Sequence, residues 1–149
     1  MKLDSYTQLV YDIVGAAMDV HKELHSGLLE PVYNEALCME LSKRKITFQQ
    51  ELDLPIYYKG EQMTKRYRMD IVCGDIILEL KAVNELLTEH RAQLFNYLRL
   101  TRKPIGLLIN FGESSLHVER YFYDETTNSV KLFHVNRLVD QIVVDIRAL

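Results

Sequence analysis

Cysteine is scarce in this sequence. Its two copies, Cys38 and Cys73, stand apart, with neither C-x-x-C spacing nor clustered histidines around them. That argues against a disulfide framework and a zinc knuckle, and it fits a reducing cytoplasm. Long apolar runs are also missing: no segment reaches the roughly 18 apolar residues of a membrane span, so a soluble chain with no membrane role is expected. The stretch MKLDSYTQLVYDIVGAAMDVHKEL has acids inside its apolar part, whereas a secretory signal has an uninterrupted centre; no export signal is read there. Basic charge is not in excess either. A formal net charge of -3 argues against coating nucleic acid by bulk electrostatics, although local patches remain available. Two exist: Lys59, Lys65, Arg66 and Arg68, and later Arg99, Arg102 and Lys103. Solvated faces explain them equally well.

Repeats, low-complexity tracts and a Pro/Gly/Ser linker are absent. The 149 residues therefore read as one domain, with a core over about 5–112 and an accessory extension over about 113–149. Residues 5 to 24 place Leu9, Ile13, Ala16, Ala17 and Val20 at helical steps. His25-Ser26-Gly27 breaks the pattern, and Pro31 opens a second helix running through Ala36, Leu37 and Leu41 to about Arg44. From Thr47 the texture becomes β: ITFQQELDLPIYY, a Lys59-Gly60-Glu61 turn, QMTKRYRMDIV, a Cys73-Gly74-Asp75 turn, then IILELKAV. This predicts a three-stranded antiparallel meander. Residues 85 to 102 return to helical spacing, and Pro104 opens the buried-strand run IGLLINF. SLHVERYFY and SVKLFHV alternate around a DETTNS turn, and NRLVDQIVVDIRAL puts Leu138, Ile142 and Ile146 on one helical stripe.

One constellation asks for a chemical explanation. Asp70 sits between Met69 and Ile71, and a buried carboxylate is costly unless paired, protonated or bound to metal. In the next strand Glu79 and Lys81 share one face, while Leu78 and Leu80 take the other. With Cys73-Gly74 as a two-residue loop, Val72 pairs with Asp75 and Asp70 with Ile77. Asp70 and Glu79 are then diagonal neighbours, about 7 Å apart at Cβ. Both carboxylates can reach one hard cation such as Mg²⁺, which acidifies water and neutralises phosphodiester charge, while Lys81 orients the attacking water or stabilises the transition state. An ordinary salt-bridged trio on a solvated sheet face accounts for the same spacing.

Asp70, an eight-residue gap and Glu79-Leu80-Lys81 after a hairpin resemble the signature of the PD-(D/E)XK nuclease superfamily, with Met69 where the proline of the motif would stand. Upstream, Gly27-Leu28-Leu29-Glu30-Pro31-Val32-Tyr33 resembles the G-x-x-E-x-x-Y motif of the GxxExxY family within that superfamily. The likeness continues through His21-Lys22-Glu23-Leu24, Tyr57-Tyr58-Lys59-Gly60, Glu79-Leu80-Lys81-Ala82-Val83 and Leu107-Leu108-Ile109-Asn110-Phe111, covering about residues 8 to 112. The resemblance implies that Glu30 is a further acidic, metal-binding member of the site. A glutamate in a first helical turn is favourable through the helix dipole alone, and Tyr33 can simply pack. His90, Gln93 and Tyr97 fall on one helical stripe, opposite much of the Leu94 and Leu98 face, and Gln93 and Tyr97 resemble the Q-x-x-x-Y element of the superfamily.

The resemblance implies a restriction-endonuclease-like α/β core, a mixed β-sheet flanked by helices, with a C-terminal β-rich extension. It implies a nuclease dependent on Mg²⁺ or Mn²⁺ acting on nucleic acid, DNA first, with Asp70, Glu79 and Glu30 as metal ligands and Lys81 and Gln93 assisting. The alternative is a non-catalytic module that keeps the fold and binds nucleic acid or a protein; the intact Asp, Glu and Lys speak against it. The apolar residues 138 to 149 suggest a homodimer through the extension. His21 and His25 have i, i+4 spacing, but there is no third ligand, and a structural role is expected. Asn110-Phe111-Gly112-Glu113 is not a phosphate loop, and no Walker or dinucleotide glycine pattern occurs.

Overall fold

The computed structural model describes the backbone of residues 3–134 and 137–145 and the side chains of residues 5–134. A short 3-10 turn, Leu3–Tyr6, leads into helix α1 (Thr7–Leu24). Helix α2 is Glu30–Lys43, with Pro31 in its first turn, where the missing N–H has no partner to lose. Then come strands β1 (Gln49–Tyr58), β2 (Glu61–Cys73) and β3 (Ile76–Lys81), helix α3 (Thr88–Thr101), and strands β4 (Ile105–Asn110), β5 (His117–Asp124), β6 (Ser129–His134) and β7 (Arg137–Asp145).

All seven strands form one sheet in chain order. Every neighbouring pair is antiparallel except β3 and β4, which run parallel from Ile76↔Ile105 to Lys81↔Asn110. A parallel pair needs a crossover, and α3 supplies it. Two apolar layers result. On one face Val10, Ile13, Ala17, Leu37 and Leu41 of the first two helices pack on Ile76, Leu78, Leu80, Leu107 and Ile109; on the other, Leu94, Phe95 and Leu98 of α3 pack on Val72, Ile77 and Leu108. With helices on both faces, all six residues of β4 are buried, and Asn110 at its end is the one polar side chain among them.

The segment read as a terminal helix is the strand β7, so Leu138 and Ile142 lie in a sheet, while Ile146 falls outside the described residues. The reason is composition: Val139, Ile142, Val143 and Val144 are β-branched, stiff at χ1, and extend the open edge of β6 more readily than they line a helix. The proposed homodimer surface, residues 138–149, lies outside the residues whose side chains are described. β5 pairs along the whole length of β4, from Ile105↔Phe122 to Asn110↔His117. The tail thus widens the sheet.

Helix α3 is pinned to β5 by a charged fork. Arg91 donates from Nε and Nη2 to the two oxygens of Glu119, at 2.7 and 2.8 Å, while Tyr121 and His117 also bond that carboxylate. Burial alone would raise the Glu119 pKa, but these donors outweigh it and hold the carboxyl at about 2. Arg91→Ala is expected to cost on the order of 3 kcal/mol in urea unfolding at neutral pH, because it strands a largely buried carboxylate. A folded pKa below the unfolded one gives stability above about pH 4.5 that is lost as pH falls toward 2. The gap between variant and wild type should therefore close across that window.

Candidate active site

The β2–β3 hairpin turns through Gly74-Asp75, with Cys73↔Ile76, Val72↔Ile77 and Ile71↔Leu78 as its pairs. The expected pairing of Val72 with Asp75 and Asp70 with Ile77 is therefore corrected. Gly74, at φ 59, takes the left-handed conformation inside the turn, which moves the loop one residue along the chain. The pairing shifts by two residues, so the face of each side chain is conserved. Continuing the register sets Asp70 opposite Glu79 rather than diagonal to it. There the ladder stops, and the Leu80 N–H donates instead to Asp70 Oδ2 at 2.9 Å.

Glu79 is 2% exposed, and its Oε2 has no hydrogen-bond partner. Burial first, then the adjoining Asp70 carboxylate, pushes its pKa up to about 10, against the opposing pull of Lys81; Glu30 adds a smaller push. Glu30, half-buried at the start of α2, is likewise raised by burial and then by Asp70, with Lys81 opposing. Three acids thus converge beside one ammonium. A buried carboxylate oxygen with no donor to accept from is chemically suited to a divalent cation. Among the described residues no group of three or more His, Cys, Asp or Glu is placed to hold a metal ion.

Lys81 is held from the other side. Its Nζ donates to Gln93 Oε1 at 3.0 Å, Gln93 Nε2 donates to the Tyr97 hydroxyl at 2.9 Å, and that hydroxyl donates to the Arg68 carbonyl at 3.3 Å. Tyr97 is 1% exposed and packs with Leu94 and Leu98, not opposite them. Burial and the nearby Glu79 charge push its phenol up to about 12, so it stays a proton donor. His90 shares the stripe but not the chain: its Nδ1 accepts from the Leu87 N–H at 3.0 Å and caps the helix.

The segment Gly27 to Tyr33 explains how Glu30 reaches the site. Helix α1 ends at His25, Gly27 takes φ +108, where a Cβ would be strained, and α2 starts three residues later at Glu30. Tyr33, fully buried and stacked on Phe111 at 4.7 Å, fastens this loop: its hydroxyl donates to the His25 carbonyl and accepts from the Leu28 N–H. Tyr33→Phe keeps the stacking and frees both backbone groups. It is expected to lower the thermal midpoint by several degrees, about 2 kcal/mol by calorimetry.

Sequence reading passed over Asn110. It is completely buried beside Lys81 in the β3–β4 ladder; its Oδ1 accepts from Val83 N and Gly112 N, and its Nδ2 donates to the Val83 carbonyl and to Glu113. The signal was present, since an asparagine ending an apolar strand needs four partners if buried. His21 is buried with Nε2 on the Glu113 carbonyl at 3.0 Å, and His25 is an exposed helix terminus, so the pair is structural. Both cysteines are free and buried. A cleft of about 570 Å³ opens beside the acids, lined by Glu30, Asn34, Glu35, Gln50, Glu51 and Asp70 among others.

Against known proteins, a family described as PD-(D/E)XK nuclease superfamily matches residues 7–121. A search of curated proteins and of solved structures found no match. The family match and the mixed sheet with helices on both faces agree with the α/β, restriction-endonuclease-like fold. Nucleases of this superfamily generally use divalent metal ions.

Proposed function

The chain belongs to the PD-(D/E)XK nuclease superfamily, and from that membership we propose that it is a Mg²⁺-dependent nuclease of the GxxExxY type, cleaving DNA in a reducing cytoplasm. The observation that carries this reading is the buried Glu79 oxygen without a hydrogen-bond partner, on a carboxyl within electrostatic reach of Asp70, Lys81 and Glu30. A divalent ion held by Asp70 and Glu79, with Glu30 alongside, would when bound supply an acidified water and counter-charge for the phosphate; Mn²⁺ fits the same oxygens.

The residues of the chain divide the remaining work. The Leu80 N–H fixes the orientation of Asp70. Gln93 accepts a hydrogen bond from one of the three Lys81 N–H groups and so aims the ammonium, leaving two N–H donors for a non-bridging phosphate oxygen or for the water that attacks it. Tyr97 sets which end of the Gln93 amide faces the lysine, because its hydroxyl accepts from the NH₂ end. The test is cleavage of labelled single- and double-stranded DNA and RNA with Mg²⁺, Mn²⁺ or chelator, using wild type and Asp70→Asn. Metal-dependent DNA cleavage lost in the variant supports the reading. A protein that binds nucleic acid but never cleaves it would make this a binding module on a nuclease fold.

A further inference from the structure

We propose that the two-stranded ribbon of β1 and β2 is the grip by which this domain holds the phosphodiester backbone leading away from the carboxylates. The inference rests on the nuclease reading above. Beyond Ile71 toward Glu61, among the described residues, no third strand accompanies β2, and residues 61 to 68 of that strand are all exposed. The ribbon ends in a left-handed Lys59-Gly60 turn, with φ 49 and 83. Its outer part carries the excess of positive charge, while the acids Glu51 and Asp53 lie toward its root. From Pro55 to Arg68 there are Lys59, Lys65, Arg66 and Arg68 against the single acid Glu61, in a chain whose net charge is -3.

Position ties this charge to the site. Arg68 and Arg66 stand two and four residues before Asp70 on β2, about 7 and 13 Å from it along the strand. Both arginines contact Asp53 across the ribbon, at 3.4 and 3.2 Å, with all three side chains more than 40% exposed. Such pairs are weak, and a phosphate can replace the carboxylate. Lys59 and Lys65 have no ion pair among the described residues. Tyr57 and Tyr58 are 61% and 64% exposed, and the Lys59 ammonium lies over the Tyr58 ring at 5.4 Å, which leaves Tyr57 the freer face for an unpaired base. The aliphatic side of the root, Leu52 and Leu54, is turned into the α3 layer, and Tyr67 stands edge-on to Tyr97 at 5.6 Å. The ribbon therefore shows solvent a cationic, aromatic surface rather than an apolar one, which favours nucleic acid over protein.

Fluorescence anisotropy in EDTA, with a labelled single strand and the matching duplex, reads binding without cleavage. Lys65→Ala/Arg66→Ala is expected to weaken affinity about tenfold or more on at least one probe. It should also flatten the slope of log K against log salt by about 1.4 on the single strand or about 1.8 on the duplex, two phosphate contacts' worth. The probe that loses more identifies which form is gripped. Lys65→Arg/Arg66→Lys, which keeps the charge, should bind as wild type does. Unchanged affinity and slope in the alanine variant, or an equal loss in the charge-conserving one, overturns the grip. Wild-type cleavage retained in full by the alanine variant overturns the grip alone, whereas a wild type that neither binds nor cleaves overturns the nuclease reading with it.

Discussion

Lys81→Ala should lower kcat for phosphodiester cleavage by about two to three orders of magnitude, with a much smaller change in KM. The ammonium is half-buried, and among the described residues its hydrogen-bond partner is Gln93 Oε1. Its removal leaves a glutamine that water can satisfy, so the thermal midpoint should barely move. The contribution lost is positioned charge where negative charge develops on the phosphate, and one such donor is worth about 3 to 4 kcal/mol in a preorganised site. A group whose interaction strengthens only in the transition state affects kcat rather than binding. Single-turnover cleavage at saturating Mg²⁺ measures this directly. A Lys81→Ala protein that cleaves at the wild-type rate would remove the lysine from the mechanism. Gln93→Ala leaves the ammonium in place but unaimed, and a loss of only about tenfold is expected.

Gly112→Ala should be among the most damaging single-atom additions available in this chain. A Cβ at position 112 would stand 2.3 Å from the Val83 carbonyl oxygen, 2.4 Å from its nitrogen and 2.6 Å from the Ala82 carbonyl carbon. These are main-chain atoms and cannot swing away as a side-chain tip could. Either the 82–83 loop lifts, breaking the Asn110 bonds to Val83, or the turn after β4 moves. Overpacking of this kind costs about 3 kcal/mol, and here it also displaces the peptide next to Lys81. Urea unfolding should show the destabilisation, and the activity of the folded fraction should fall as well. If Gly112→Ala matched wild type in both, the close approach would not be a constraint.

Much of this was legible because the signals were local. The 3.6-residue stripe of Leu9, Ile13 and Val20, the Pro31 helix start and the turn at Lys59-Gly60 each follow from side-chain period or backbone restriction, and each element stands where it was expected. The family motif survived a wrong hairpin register because a two-residue shift preserves the face of Asp70 and Glu79. What was not legible depended on distant partners. Tyr97 looked like part of a polar stripe, but its ring is buried and only its hydroxyl serves the site. His90 shared that stripe, yet the nearest free N–H belonged to the helix terminus. Asn110 gains its meaning only when the loop after β3 folds back over the end of β4. For residues 137 to 145, a helical stripe and a β-branched strand were both written in the same letters, and the open edge of β6 decided between them.

The hydrogen bond from Tyr97 to residue 68 ends on a carbonyl, and the one that orients Asp70 begins on the amide of Leu80. Both attachments use main-chain groups, and the carbonyl at position 68 is one that every amino acid carries. The side chain at position 68 can accordingly drift, swap sign or be recruited to a new substrate while the support behind Lys81 keeps its anchor. Mutational freedom on the outer ribbon and intolerance at the carboxylates can thus coexist two residues apart, which lets such a scaffold diversify its targets while retaining its chemistry.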